Sequence, residues 1–189
     1  MQGVSERFPA QAGSPNGYAV FYSSTTTNGT ISYWFMTGTV DYSLGVNVSF
    51  WTRTATDIAV SPTRLFVRYS NKGYDAGFTT NTSSDLGYFT ATPIVINEAM
   101  TQEGYPTTWT QYSFSIPPQV GITGRIAFHF YMQAAAGYET RFIGIDSLSL
   151  ARYGFYAQGF VNVPYIFGPE GYASFGANFL LFPLLTIFF

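Results

Sequence analysis

One histidine, three tryptophans and ten carboxylates are what this 189-residue chain offers to chemistry, and it has no cysteine. His129 stands in the run RIAFHFY, residues 125–131. A histidine base works beside a nucleophile, or as one of several metal ligands. The chain has no second histidine and no Gly-x-Ser-x-Gly elbow. His129 alternates out of phase with Phe128 and Phe130, which puts it on the less apolar side of a strand as an ordinary sheet residue. The acids are Glu6, Asp41, Asp57, Asp75, Asp85, Glu98, Glu103, Glu139, Asp146 and Glu170. Glycoside hydrolysis needs two of them about 5–9 Å apart across a cleft, and no spacing singles out a pair. The expectation is a protein with no catalytic residues, not an enzyme. Asp146, in Gly144-Ile145-Asp146, has two readings, a ligand for a structural Ca²⁺ with backbone carbonyls or a hydrogen-bonded structural carboxylate. No other cofactor is expected.

Two further groups point to sugars. Trp34, Trp51 and Trp109, with the 15 tyrosines, can stack on sugar rings. Asn28-Gly29-Thr30, Asn47-Val48-Ser49 and Asn81-Thr82-Ser83 match the N-glycosylation triplet, so Asn28, Asn47 and Asn81 are candidate glycan sites.

The elements that would position these groups are strands. Short runs alternate apolar and polar residues between Gly, Pro, Asn and Asp breaks, the pattern of a sandwich or barrel. VNVSFWT places Val46, Val48 and Phe50 on one face. RLFVRYS puts Leu65, Val67 and Tyr69 on one side and Arg64, Phe66 and Arg68 on the other. QYSFSIP offers Tyr112, Phe114 and Ile116 inward, and RIAFHFYM offers Ile126, Phe128, Phe130 and Met132. RFIGIDSLSL changes face after Ile143 and Ile145, leaving Leu148 and Leu150 in phase with Phe142. A short helix is expected only over residues 97–102.

Composition narrows the partners. Charged residues are 10% of the chain, against about 25% in an ordinary domain. That suits a secreted β-protein, or a subunit whose surface its neighbours cover. The net charge of −2 and the absence of any basic run exclude phosphate-driven nucleic-acid binding. The start, MQGVSERFPAQAG, has no apolar leader core, and the expectation is that a leader was removed from an exported protein.

Taken in order, FPAQAGSPNGYAV (residues 8–20), ISYWFMTGTVDYSLGVNVSFWTRT (31–54), SPTRLFVRYS (61–70), YPTTWTQYSFSI (105–116), GRIAFHFY (124–131) and IGIDSLSL (143–150) resemble the choice-of-anchor J domain family. These are exported bacterial proteins with a jelly-roll sandwich, related to MAM-like and cleaved-adhesin domains. The resemblance covers about three-quarters of the chain. It implies export, a cell-surface or extracellular location and an all-β jelly-roll β-sandwich, with Trp51 and Trp109 in core motifs. It carries no catalytic motif. In the family, further residues including a first strand precede FPAQAG, whereas here only MQGVSER does, so the sandwich is expected to lack its usual first strand. The family's apolar sorting tail is followed by an arginine cluster, and none follows here.

After Arg152 the composition shifts. Residues 153–189 contain one charge, Glu170, so the chain divides into a sandwich, residues 1–152, and a C-terminal linker and assembly segment, residues 153–189. The last twelve residues, NFLLFPLLTIFF, are too short to cross a membrane as helix, about 18 Å against roughly 30 Å, and Pro183 disfavours a straight helix. As an extended strand they reach roughly 40 Å, with apolar side chains on both faces. Such a strand requires burial on both sides. Donated to the open edge of a neighbour, it would join subunits by β-strand complementation, with Phe179, Leu180, Leu181, Phe182, Leu184, Leu185, Ile187, Phe188 and Phe189 as the interface. Six apolar positions on one face correspond to on the order of 10 kcal/mol before ordering costs. Repeated head to tail, this makes a helical homopolymer, a pilus-like extracellular filament or a surface layer. The alternative is a tail folded into its own sandwich, giving a monomeric secreted carbohydrate-binding or adhesin domain.

Overall fold

A computed structural model describes residues 2–22, 29–56, 62–80, 82–134, 142–152, 161–166, 172–177, 181–182 and 184–185. The strands among these residues run antiparallel, and the nine up to residue 152 form two sheets. The first has four strands in the order β1 (Ala19–Phe21), β9 (Ile143–Arg152), β4 (Val46–Thr54), β7 (Thr110–Ile116). The second runs β2 (Gly29–Met36), β8 (Thr123–Ala134), β5 (Arg64–Ser70), β6 (Ala91–Ile96), and β3 (Val40–Asp41) pairs with the start of β8 beyond the end of β2.

The period-two rows decide the packing. Val46, Val48 and Phe50 of β4, Leu65 and Val67 of β5, Ile116 of β7, and Ile126, Phe128, Phe130 and Met132 of β8 are all buried between the sheets. Tyr112 and Phe114 pack at the margin of the same core. Phe50 meets Phe128 edge-on at 5.0 Å between centroids, Phe21 stacks on Phe130 at 5.4 Å, and Tyr69 faces Phe114 at 6.4 Å. The first sheet therefore lies with β1 and β4 over β8 and with β7 over β5.

β9 keeps apolar residues inward through its change of face by a bulge. Opposite Phe50 alone it places Ser147 and Leu148, because Ser49 pairs with Ser149 but Trp51 with Asp146. Ser147 takes up the extra residue in the left-handed region, φ 50°. Ile143 and Ile145 before the bulge and Leu148 after it then reach the same core. Pro93, in β6, sits on an edge strand at a second irregularity, between the pairs Val67–Ile94 and Tyr69–Ala91, where its missing N–H costs nothing.

The helix expected over residues 97–102 does not form. Asn97 and Met100 both adopt positive φ, 58° and 50°. The Asn97 side chain holds a turn instead, donating to the carbonyls of Thr63 and Thr101 and accepting from the Thr101 N–H. A local asparagine bond here outcompetes the helical ladder.

The C-terminal segment, read above as linker and one long strand, contains two hairpins. β10 (Val161–Ile166) pairs antiparallel with β11 (Tyr172–Ala177). A two-stranded ribbon leaves Pro164, opposite Ser174, a free edge. β12 (Leu181–Phe182) pairs antiparallel with β13 (Leu184–Leu185). Among the described residues neither ribbon pairs with the two large sheets.

Candidate functional site: an open lane beside β1 and β2

β2 is the edge strand of the second sheet, paired along its length with β8 and, among the described residues, with nothing on its other side. Its inward row is Ile31, Tyr33 and Phe35, opposite Met132, Phe130 and Phe128. Tyr33 stacks on Phe130 at 6.1 Å and Phe35 tilts against Phe128 at 6.0 Å. Those β8 partners are fully buried, yet Tyr33 is 43% and Phe35 42% exposed. The cause is the offset of the sheets. β1, at the edge of the first sheet, covers β8, so β2 projects beyond it with its core-facing aromatics open. The result is a cleft of about 400 Å³ lined by Val20, Phe21 and Tyr22 on one side and Tyr33, Trp34 and Phe35 on the other.

Among the described residues the outer edge of β1 is touched at one end only. Gln2 makes a single antiparallel bridge to Ala19, and the Gly3 N–H donates to the Tyr18 carbonyl at 2.7 Å. No described residue pairs with that edge at Val20 or Phe21.

His129 lies on the other face of the second sheet. It does point away from the core, but it is only 1% exposed, enclosed by aromatic neighbours. Trp34 of β2 stacks on the imidazole at 3.9 Å and 6°, Phe66 of β5 stacks on its far side at 5.4 Å, and Arg68 lies over Phe66 at 4.4 Å. Phe78 and Phe89 close over Trp34. The Nε2 shares a 2.8 Å bond with Ser32 Oγ, and Nδ1 has no partner in the described structure. Burial, helped by the nearby Arg68 charge, lowers the imidazole pKa to about 3. The ring is neutral at pH 7 and shut away from solvent, so it packs between aromatic rings and shares one hydrogen bond with Ser32.

That burial has a measurable consequence. Above pH 6.5, the ordinary histidine value, the folded and unfolded chains both hold the ring neutral and the group adds no pH dependence. Between 6.5 and about 3 the unfolded chain binds a proton that the folded one does not, so stability falls with falling pH. The slope from one such group is at most about 1.4 kcal/mol per pH unit. His129→Phe keeps the stack and removes this slope. Urea midpoints at pH 7 and pH 4.5 should separate more for the natural chain than for the variant. Equal separations would mean that the imidazole protonates in place.

The other candidates are dispersed. Asp146 accepts from the N–H groups of Gln11 (2.7 Å), Ala12 (3.3 Å) and Ser147 (2.6 Å), which ties the N-terminal residues to β9 and takes up oxygen lone pairs that a cation would need. Among the described residues no three of His, Asp and Glu gather as a metal site. Trp109 packs in a second small core with Phe8, Tyr18 and Phe142, its indole N–H donating to the Pro9 carbonyl. Trp51 is not in a core cluster and lies half-buried on the outward row of β4. Asn47 is exposed on that same row, with its Oδ1 accepting from Ser115 at 2.7 Å. Asn28 and Asn81 lie outside the described residues, as do Phe179, Leu180, Ile187, Phe188 and Phe189. The backbones of Leu181, Phe182, Leu184 and Leu185 are those of the small β12–β13 ribbon.

A second cleft, about 470 Å³, lies along the outer side of β2 between Trp34 and the β5–β6 connection. Thr80, Thr82 and Asp85 line it. Asp85 is held at a pKa of about 2 by the N–H groups of Thr80, Gly87 and Thr79, so its carboxylate mainly organises its own loop. Sequence reasoning found neither cleft, because Tyr33 and Phe35 read as ordinary strand aromatics until the sheet offset is known. Among the described residues no helix is long and apolar enough to cross a membrane. No family model, no curated protein and no solved structure matches this chain.

Proposed function

We propose that this protein is a non-enzymatic structural subunit of an extracellular filament or surface layer, polymerised by donation of its apolar C-terminal strand to the next copy. The single observation that carries the reading is the uncovered inward row of β2, with Tyr33 and Phe35 more than 40% exposed directly above a fully buried core. Monomeric proteins leave few large apolar patches open, and those they do leave mark interfaces. The uncharged stretch of residues 171–189 supports the reading from the other side. The jelly-roll connectivity and the choice-of-anchor J kinship belong to the same proposal, as do export and a bacterial source. Glycans on Asn47 would decorate the outer face of such a coat.

The test is electron microscopy of the purified chain with and without residues 178–189. Filaments or sheets that vanish on truncation are the expected result. Discrete monomers in both samples would refute assembly. The carbohydrate-binding reading would then rest on the cleft between Trp34 and Thr80, Thr82 and Asp85, whose aromatic and hydroxyl lining suits a sugar, and a glycan array would examine it.

A further inference from the structure

The outer face of the second sheet holds positive charge that no described carboxylate balances. Arg64 and Arg68 leave β5 on either side of Phe66 and both turn onto its ring. Their guanidinium carbons lie 5.3 Å and 4.4 Å from that one ring centre, so a single small ligand can meet both. Arg68 is only 7% exposed. A cation so enclosed ordinarily has a carboxylate partner. Among the described residues Arg68 has none, and burial alone acts on its pKa, lowering it.

Hydrogen bonding at this place is incomplete as well. Arg64 Nε, Arg68 Nε and His129 Nδ1 are all buried without a partner, and β5 and β8 bring them together by pairing Phe66 with His129. Arg68 donates through Nη1 to Thr92 Oγ1 at 2.6 Å, and Arg64 donates through Nη2 to the Glu98 carbonyl. The side edge of Arg68, Nε with Nη2, stays unused among the described residues. That edge presents two parallel N–H groups, the fork that grips both oxygens of a carboxylate.

We infer that Arg68, with Arg64 beside it, binds the carboxylate of a small organic acid, and that an acidic sugar fits the surroundings. Phe66 and Tyr131 are half-buried and meet edge-on at 6.3 Å, which gives the body of the ligand an aromatic surface next to the two guanidiniums. A hexuronate carries a ring for that surface and a carboxylate for the fork. A neutral sugar would leave the buried charge uncompensated. The site is on the face of the second sheet opposite Tyr33 and Phe35, so it stands apart from polymerisation, and failure of one reading leaves the other intact.

The test is calorimetric titration of the full chain with glucuronate, acetate, glucose and sulfate at equal ionic strength. Glucuronate should bind and should raise the urea midpoint by mass action, while glucose should do neither. Tighter binding of glucuronate than of acetate makes the ligand an acidic sugar, and equal binding keeps the carboxylate site for small acids in general. Arg68→Lys retains the charge but loses the fork, and Arg64→Gln removes the second guanidinium. Each should weaken glucuronate by about ten-fold or more. Lys72→Gln, which deletes an exposed charge elsewhere, should leave the affinity unchanged. Should Arg68→Lys fail to fold, Arg64→Gln still decides. No binding of glucuronate, sulfate bound as tightly as glucuronate, or full affinity in the arginine variants would overturn the carboxylate site.

Discussion

Phe128→Ala should destabilise the protein by about 3–5 kcal/mol, the range for removing a fully buried phenylalanine. Phe128 is completely buried in the middle of β8. It meets Phe50 of the opposite sheet edge-on and Phe35 of β2 at the lane. Truncation loses the transfer free energy of the ring, and both sheets hold the cavity open because β8 is hydrogen-bonded on each side. Against a typical total of about 5–15 kcal/mol, that is a large fraction, and melting should fall by roughly 10–15 °C. Val120→Ala is the matched control, since Val120 is 89% exposed, and it should stay within about 0.5 kcal/mol. Urea denaturation of the two variants decides the matter. A loss under about 1 kcal/mol for Phe128→Ala would mean that the sheets do not pack through this row.

Phe35→Asp should do the opposite, leaving the subunit folded and abolishing assembly. At 42% exposure the carboxylate can reach water in the isolated subunit, so its folding cost is modest, about 1 kcal/mol. Beneath a donated strand it could not. A carboxylate enclosed without a partner costs several kcal/mol, and the nearest neighbours, Phe128 and Val20, offer no charge. Light scattering and microscopy should show monomers at concentrations where the natural chain polymerises, with a nearly unchanged melting temperature. Normal filaments from Phe35→Asp would show that Phe35 stays wet in the assembly.

These expectations drew unequally on the sequence. The inward rows of β4, β5, β7 and β8 were legible, because a two-residue period with Val, Ile and Phe on one side has few other readings. The face change of β9 was legible too, since Ile145 and Leu148 cannot share a face without an extra residue between them, although the positive φ of Ser147 was not. The side of the sheet on which His129 lies followed from its phase. Its burial did not, because the rings that enclose it, Trp34 and Phe66, come from strands whose pairing with β8 is not written in the local pattern. The turn at Asn97 was misread as helix for want of any local sign that the side chain would bond backward to Thr63, thirty-four residues away. In the tail, most of residues 178–189 lie outside the described structure. The β10–β11 ribbon went unrecognised although its six-residue runs flank Gly168-Pro169-Glu170-Gly171, an ordinary hairpin punctuation. The lane itself was invisible, since it depends on how far one sheet is displaced over the other.

The pairing of Ala19 with Ile145 sets a clock. Among the described residues β1 pairs with β9 and with Gln2, so its main partner is made more than a hundred residues later. At about 5–20 residues per second, Val20 and Phe21 wait on the order of ten seconds after synthesis before the strand that shelters them exists. The first sheet thus closes after the second, because β9 follows β8 in the chain, and its outer lane takes its shape late. A chain built this way is most open to premature pairing with other chains while it is being made, and any cell that makes it in quantity has to keep nascent copies apart during that interval.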